Sequence, residues 1–161
     1  MPREFHILLV EDSPADVKII ERALREGQIA HRLTIIRDGE QALEYFNHLR
    51  DPTVPAALIP DLVLLDLNLP GLDGGQVLSH IKSDPALRAI PVVVLTTSQR
   101  EEDVRQSYQS GANTYIQKPA EYTRYRDLVA TLYKYWQETA LRPPRHRGPQ
   151  GDPDHPGDPS R

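Results

Sequence analysis

The stretch ILLVEDSPAD, residues 7–16, combines the features that decide the fold. Four apolar residues lead directly into two acids, Glu11 and Asp12, and Ser13 with Pro14 then favours the start of a helix. The pattern indicates a buried strand over residues 5–11 that ends in adjacent carboxylates and is followed at once by a helix. Because neighbouring carboxylates repel each other, the fold must supply something that stabilises their negative charge.

The same strand-then-helix unit recurs along the chain. Further strands are predicted over residues 33–36, 62–65, 91–95 and 113–117. A helical pattern follows each strand, and the last one covers residues 122–140. The third and fourth strands are apolar throughout, as expected of parallel strands that are covered by helices on both faces. We therefore predict an α/β fold, a doubly wound parallel sheet of five strands in the order 2-1-3-4-5 with five helices.

Length and composition indicate one domain followed by a polar tail. The predicted domain covers residues 1–140, and residues 141–161, six of which are proline, are predicted to be disordered or extended. The chain has 161 residues and no cysteine, which excludes disulfides and thiolate chemistry. The net charge of -4 gives no general reason to bind nucleic acid or an anionic membrane. No apolar run reaches the roughly 20 residues that cross a bilayer, and we predict a cytoplasmic protein.

Polar side chains end four of the five predicted strands. They are Glu11 and Asp12 after the first strand, Asp66 after the third, Thr96 after the fourth and Lys118 after the fifth. Because the first and third strands are neighbours in the predicted order, the three carboxylates converge where open parallel sheets bind ligands. Such hard oxygen ligands favour Mg²⁺ or Mn²⁺. Each residue alone also fits a helix cap or a surface position, but their joint occurrence predicts a site equipped for phosphoryl transfer.

At this point the sequence resembles the receiver domain of two-component response regulators, which has a flavodoxin-like fold. The resemblance covers about residues 5–140. It rests on the motifs VEDSPAD (10–16), LVLLDLNLPGLDGG (62–75), VVVLTTS (92–98) and GANTYIQKP (111–119).

The resemblance implies a role for each matching residue. It implies that Asp66 is the phosphoacceptor and that Thr96 and Lys118 contact the phosphoryl group. The implied ligands of Mg²⁺ are Glu11, Asp12, Asp66 and the backbone carbonyl of Asn68. It also implies a cis peptide bond between Lys118 and Pro119. A receiver of this kind catalyses its own phosphorylation and dephosphorylation and turns over no separate substrate.

Family behaviour further implies a switch and a set of partners. Phosphorylation would draw Thr96 inward, Tyr115 would rotate into the vacated space, and the face of helix 4, strand 5 and helix 5 would change shape. The donor would be a sensor histidine kinase, and the output would pass to a downstream phosphotransfer or target protein. The sequence also resembles stand-alone regulators that partner phytochrome-type histidine kinases.

The last predicted helix is unusually rich in aromatic residues. Its apolar positions are Leu128, Leu132 and Trp136 in one row, Tyr125, Val129 and Tyr133 in an adjacent row, and Tyr135 outside both. A helix that packs on a sheet needs an apolar stripe about 100° wide, and this face is broader. We therefore predict a homodimer that involves helix 5, against the alternative that Tyr135 and Trp136 only anchor the tail.

Two other functions remain open from the residues. The first is an aspartyl-phosphate hydrolase of the haloacid-dehalogenase kind, which also uses a strand-end aspartate and Mg²⁺. That chemistry normally needs a second acid two residues after the nucleophile, where this chain has Asn68. The second is a degenerate receiver that serves only as a binding module, although every required group is present.

Overall fold

The computed structural model describes residues 4–28 and 31–145, and it confirms the predicted sheet. Five parallel strands lie in the order β2-β1-β3-β4-β5. The strands are β1 (Phe5–Val10), β2 (His31–Ile36), β3 (Leu62–Leu65), β4 (Val92–Thr96) and β5 (Thr114–Gln117). The helices are α1 (Pro14–Glu26), α2 (Gly39–Leu49), α3 (Gly74–Ser83), α4 (Glu101–Gln109) and α5 (Tyr122–Lys134), with a 3₁₀ turn at Ala56–Leu58.

Successive side chains of the strands enter two separate cores. In β1, Ile7 and Leu9 pack with α1 and α5, whereas Leu8 and Val10 pack with α2 and α3. Every residue of β3 and of β4 is buried, as predicted for strands that are covered on both faces. Because each sheet face needs its own layer of helices, the apolar pattern of these strands fixes the three-layer architecture.

Several element boundaries differ from the sequence prediction by one residue, and two differ by more. Strand β2 begins at His31, two residues earlier than predicted, because its backbone pairs with β1 from Phe5 onward whatever the side chains are. The last helix is predicted to reach residue 140, but its α-helical part ends at Lys134 and a π turn follows over Tyr135–Thr139. The turn is closed by the Ala140 amide, which donates to the Tyr135 carbonyl at 2.8 Å. The spacing of apolar side chains does not distinguish such a turn from one more turn of α-helix.

The peptide bond between Lys118 and Pro119 is trans, so the expectation of a cis bond was wrong. The trans form of an X–Pro bond is favoured by about 0.5–1 kcal/mol before tertiary contacts are considered.

Most of the broad apolar face of α5 lies inside the fold. Its residues Tyr125, Val129 and Tyr133 are buried against α1 and the sheet, and Leu128, Leu132 and Trp136 are half-buried against the same core. Tyr135 is 52% exposed. Much of the apolar excess is therefore explained by packing within the chain, and the homodimer stays a prediction.

Residues 141–145 form an extended segment that lies across the amino-terminal edge of the sheet, and we call it the C-terminal strap. Asp61, which is buried, pairs with both of its arginines. Arg145 Nη2 donates to Asp61 Oδ2, and Arg142 Nη1 lies 3.4 Å from the same oxygen. Asp61 Oδ2 also accepts a hydrogen bond from the His6 amide at 2.9 Å. The predicted disorder of residues 146–161 falls outside the described part of the chain.

Further contacts of the strap reach the start of the chain. Arg145 donates to the carbonyls of Ala57 at 3.2 Å and Glu4 at 3.5 Å. The Arg142 guanidinium lies 4.9 Å from the centre of the Phe5 ring, a cation–π distance. The strap therefore ties the end of the described chain to its beginning.

The buried His6 side chain lies in the same region. Its Nε2 is 2.9 Å from Thr34 Oγ1. Burial, and then the positive charges of Arg32 and Arg145, lower the pKa of His6 to about 4 against the opposing effect of Asp61. The imidazole is therefore neutral in the folded protein at physiological pH.

The depressed pKa of His6 predicts a loss of stability in mild acid. The unfolded chain takes up a proton near pH 6.5, whereas the folded chain resists it down to about pH 4, so the stability is present at neutral pH and lost as the pH falls between these values. We expect the free energy of unfolding in urea to be about 2 kcal/mol lower at pH 5 than at pH 7 from this group. The variant His6→Gln should lack this loss of stability between pH 7 and pH 5. The same dependence of the free energy of unfolding on pH in both proteins would contradict the role of His6.

Candidate functional site

The side chains predicted to form the site meet at the carboxyl edge of the sheet. The backbone ladder brings them together, since the Asp66 amide donates to the Val10 carbonyl at 3.0 Å and the Lys118 amide to the Thr96 carbonyl at 2.7 Å. Strand β3 lies between β1 and β4, so Asp66 projects between the acids after β1 and the residue that ends β4.

Three carboxylates form a compact acidic cluster at this edge. One oxygen each from Glu11, Asp12 and Asp66 lies within 4.8 Å of the others. Glu11 is 2% exposed and Asp66 is 5% exposed, whereas Asp12 faces solvent. All three ligand groups are hard oxygens, and one side of the cluster is open to water. This donor set fits a partly hydrated divalent cation such as Mg²⁺.

Lys118 offsets part of the negative charge of the cluster. Its Nζ donates to Glu11 Oε2 at 2.6 Å and to Asp66 Oδ2 at 2.7 Å, and the residue is only 8% exposed. A third carboxylate, that of Asp16, accepts from the same Nζ at 3.2 Å. The ammonium group thus places all three of its protons on carboxylate oxygens.

The proton affinities of the site reflect this pairing. Burial raises the pKa of Glu11 most, to about 7, and the negative charge of Asp66 adds to the rise against the lowering by the hydrogen bond from Lys118. Burial alone would lower the pKa of Lys118, but the hydrogen bonds to Asp66 and Glu11 outweigh it and raise that pKa. Lys118 therefore stays charged and donates to the carboxylates.

Asn68 and Thr96 flank Asp66. The Asn68 amide donates to Asp66 Oδ1 at 3.0 Å, which orients that carboxylate. The Asn68 side chain donates to Thr96 Oγ1 at 3.4 Å, and Thr96 is completely buried. The predicted role of the Asn68 carbonyl as a metal ligand stays a prediction.

Tyr115 lies apart from the acidic cluster on β5. It is half-buried, and its hydroxyl donates to the Ser98 carbonyl at 2.8 Å, so the ring is tied to the loop after β4. Its own amide donates to the Tyr108 hydroxyl on α4 at 3.1 Å. Tyr115 therefore bridges the loop that follows β4 and helix α4.

Two polar residues near the site were missed from the sequence. Asp16 contacts Lys118. The second residue is the buried Tyr125, and the pKa of its hydroxyl is raised first by burial and then by the negative charges of Asp16 and Glu11. The spacing of Ser13 and Asp16 is typical of a helix start, so it gives Asp16 an ordinary local explanation. Its contact with a lysine 102 residues later has no signal in the sequence.

Gly74 allows α3 to begin against the backbone of Asp66 and Leu67. Its amide donates to the Leu67 carbonyl at 2.9 Å. A Cβ atom at this position would lie 2.1 Å from the Asp66 carbonyl oxygen, which no side chain can accept without displacing that backbone. At the next position, Gly75, the nearest atom to a Cβ would be the Asp73 carboxylate at 3.1 Å.

The two glycines provide a matched pair of substitutions. Gly74→Ala should lower the free energy of unfolding in urea by about 2 kcal/mol or more, because it overpacks a buried backbone contact. Gly75→Ala should change it by less than about 1 kcal/mol, because alanine is the better helix former and the neighbouring carboxylate can move. Equal effects of the two variants would show that the close approach to Asp66 is unimportant.

Comparisons with known proteins show which family the chain resembles in sequence and fold. A family model described as the response regulator receiver domain matches residues 7–130. The response regulator Rcp1 of Synechocystis sp. is 42% identical over 144 residues, covering 85% of this chain and 92% of Rcp1. The crystal structure of the phosphorylated cyanobacterial phytochrome response regulator RcpA is 40% identical with a TM-score of 0.79, covering 88% of this chain and 99% of RcpA. The Mn²⁺-bound form of Rcp1 is also 40% identical with a TM-score of 0.77, covering 87% of this chain and 99% of that structure.

Proposed function

The chain belongs to the response regulator receiver domain family, and from this we propose that it accepts a phosphoryl group from a sensor histidine kinase on Asp66. The observation that carries the assignment of the residue is the environment of Asp66. Its carboxylate is buried beside Glu11 and Asp12, and its Oδ2 accepts from Lys118 at 2.7 Å. These are the groups needed to bind a cation and to hold the oxygens of a transferring phosphoryl group.

In the transfer, a carboxylate oxygen of Asp66 attacks the phosphorus atom. The bond between phosphorus and the donor histidine nitrogen breaks, the electron pair returns to the imidazole, and an acyl phosphate forms on Asp66. Lys118 and Thr96 are assigned to the phosphoryl oxygens. The Asn68 amide keeps the carboxylate oriented for the attack, since it already donates to Oδ1.

A divalent cation, Mg²⁺ with Mn²⁺ as a substitute, belongs to this function. Glu11, Asp12, Asp66 and the Asn68 carbonyl are assigned to hold it, and its charge offsets the negative charge of the phosphoryl oxygens. The fit rests on the three carboxylate oxygens within 4.8 Å of one another. The Mn²⁺-bound form of the related Rcp1 is consistent with the assignment.

The switch is assigned to Thr96 and Tyr115 and to the face of α4, β5 and α5. Two observations support it. The Tyr115 hydroxyl donates a hydrogen bond to the Ser98 carbonyl in the loop that follows Thr96. Movement of that loop would therefore displace the Tyr115 ring. Helix α4 is polar, and Ser107 is its only buried residue, so few apolar contacts oppose its displacement.

The proposed partners follow from the relatives. The similarity to the phytochrome response regulator RcpA supports a phytochrome-type histidine kinase as the donor. The proposed recipient of the signal is a protein, either a downstream phosphotransfer protein or another target. The proposed location of the reaction is the cytoplasm. Among the described residues, no helix combines the length and apolar character that crossing a membrane requires.

We also propose a homodimer that uses the α5 region. The exposed Tyr135, stacked edge-on against Trp136 with ring centres 5.4 Å apart, offers aromatic surface beside the end of α5. Burial of the other apolar residues of α5 limits the surface that this helix contributes, so an interface would extend onto α4 or β5.

The protein is a signalling component rather than a conventional enzyme, and its catalysis is assigned to its own phosphorylation and dephosphorylation. The Asn68 side chain donates to Thr96 and carries no acidic proton. This position therefore lacks the general acid that a haloacid-dehalogenase type hydrolase uses.

The test is incubation with acetyl phosphate and Mg²⁺, followed by intact mass measurement. We expect the wild-type protein to gain about 80 Da, the mass of one phosphoryl group. Asp66→Asn should gain nothing, and Asp127→Asn, which removes an exposed carboxylate on α5, should behave like the wild type.

Other outcomes would assign other functions. Mass addition to Asp66→Asn would place the acceptor elsewhere. Continuous release of phosphate from p-nitrophenyl phosphate would favour the hydrolase. Binding of Mg²⁺ without any mass addition, from acetyl phosphate or from a phosphorylated histidine kinase, would favour a receiver used only for binding.

A further inference from the structure

Asp16 is a carboxylate that contacts the site without belonging to the acidic cluster. It lies in the first turn of α1, and its Oδ2 accepts a hydrogen bond from Lys118 Nζ at 3.2 Å. The other two partners of this ammonium group, Glu11 and Asp66, are both members of the cluster that fits a cation. Within the described residues, Asp16 is thus the one hydrogen-bond acceptor of the Lys118 ammonium group outside the proposed metal ligands.

Helix capping does not account for the direction of the Asp16 side chain. An acid three residues after a capping serine usually reaches back to the serine amide. Here the Ser13 amide donates instead to Glu11 Oε1 at 3.1 Å. The Asp16 carboxylate is turned towards Lys118, although its own amide still donates to Ser13 Oγ.

A buried tyrosine of α5 adds a second observation. Tyr125 is 3% exposed, and within the described residues its hydroxyl makes no well-formed hydrogen bond, although it is close enough to Asp16 for a hydrogen bond with that carboxylate to raise its pKa. Burial raises the pKa of this hydroxyl, and the negative charge of Asp16 raises it further. The hydroxyl is therefore a neutral donor beside the Asp16 carboxylate that contacts Lys118, and a buried donor gains from a well-formed hydrogen bond to such an acceptor.

We propose that Asp16 is a positioning residue that holds the ammonium group of Lys118 when Glu11 and Asp66 are engaged by a divalent cation and the phosphoryl group. The inference rests on the proposed function of Asp66 as phosphoacceptor. Cation binding requires the Glu11 and Asp66 oxygens that now accept from Lys118. Asp16 then keeps the ammonium group beside the site, and the Tyr125 hydroxyl supports Asp16.

Without Asp16, Lys118 has only the carboxylates that the cation needs. The ammonium group then competes more strongly for Glu11 and Asp66, and it is less well placed for the phosphoryl oxygens. Two measurable effects follow, namely weaker binding of the cation and slower phosphorylation once the cation is saturating.

The experiment compares Asp16→Asn with Glu21→Gln, which removes an exposed carboxylate from the same helix. Mn²⁺ affinity is measured by calorimetry, and the rate of mass addition is measured with acetyl phosphate at saturating Mg²⁺. We expect Asp16→Asn to lower both the affinity and the rate about fivefold, in keeping with the loss of a partly exposed charge-assisted hydrogen bond. Glu21→Gln should match the wild type, and Asp16→Glu, which keeps a carboxylate, should recover most of both.

A double-mutant cycle separates positioning from a simple charge effect. In the background Lys118→Met, Asp16→Asn can weaken Mn²⁺ binding only through its lost charge, so a smaller effect there than in the wild type supports the proposal. An equal effect in both backgrounds overturns it, as does an unchanged rate and affinity in Asp16→Asn. If the wild type gains no phosphoryl group, the proposed function fails, and the Mn²⁺ arm of the cycle still decides the role of Asp16.

Discussion

Substitution of Asp61 by alanine is expected to lower the free energy of unfolding by about 3 kcal/mol or more. Asp61 is buried, pairs with Arg142 and Arg145 of the C-terminal strap, and accepts from the His6 amide. The alanine variant leaves two largely buried guanidinium groups and one buried amide without their acceptor. Removal of one partner from a buried charge network costs more than the network itself contributes, because the remaining charges stay desolvated.

The measurement is urea unfolding followed by circular dichroism at pH 7. Asp61→Asn should fall between the alanine variant and the wild type, because it keeps an oxygen for the His6 amide but loses the charge. Asp127→Asn removes an exposed carboxylate and should change the free energy by less than about 0.5 kcal/mol. If Asp61→Ala is no less stable than this control, the strap does not contribute to the fold.

Replacement of Lys118 by methionine is expected to affect both stability and phosphorylation. The variant removes the ammonium group that Glu11 and Asp66 share at 2.6 and 2.7 Å. In the absence of a cation, these buried carboxylates then repel each other, and stability should fall by about 3 kcal/mol. Addition of Mg²⁺ should restore more stability to the variant than to the wild type, because the ion replaces the missing positive charge.

Phosphorylation of the Lys118→Met variant should be slower by about 100-fold, as when one preorganised donor is removed from a charged transition state. Thermal unfolding with and without Mg²⁺ gives the first effect, and the rate of mass addition from acetyl phosphate gives the second. A variant that melts like the wild type without Mg²⁺ would show that the carboxylates do not depend on Lys118. Phosphorylation at the wild-type rate would remove Lys118 from the reaction.

The sheet and the acidic cluster were predictable because short stretches of consecutive residues determine both. Apolar runs at β3 and β4 identify covered parallel strands, and the strand order then places Asp66 between Glu11 and Lys118. In such a sheet, the residue after each strand necessarily faces the same edge. The sequence therefore predicted which residues meet, but it did not predict which carboxylate oxygens accept hydrogen bonds from Lys118.

The features that were missed depend on contacts between distant residues. The prolines of residues 141–161 indicated a disordered or extended tail. Nothing local shows that Arg142 and Arg145 reach Asp61, which precedes Arg145 by 84 residues. Asp16 has an adequate local explanation as an acid in the first turn of a helix. The expectation of a cis bond before Pro119 came from family resemblance, and the trans bond in the structure corrects it.

The C-terminal strap also has a consequence for folding kinetics. Its contact between Arg145 and Glu4 joins residues separated by 141 positions, among the most distant pairs that the described chain can form. Because closing so long a loop is entropically costly, we expect this contact to form late and to contribute little to the transition state for folding. Substitutions in the strap should therefore speed unfolding in stopped-flow experiments and leave the folding rate nearly unchanged. On this expectation, the strap affects how long a folded molecule persists rather than how quickly it forms.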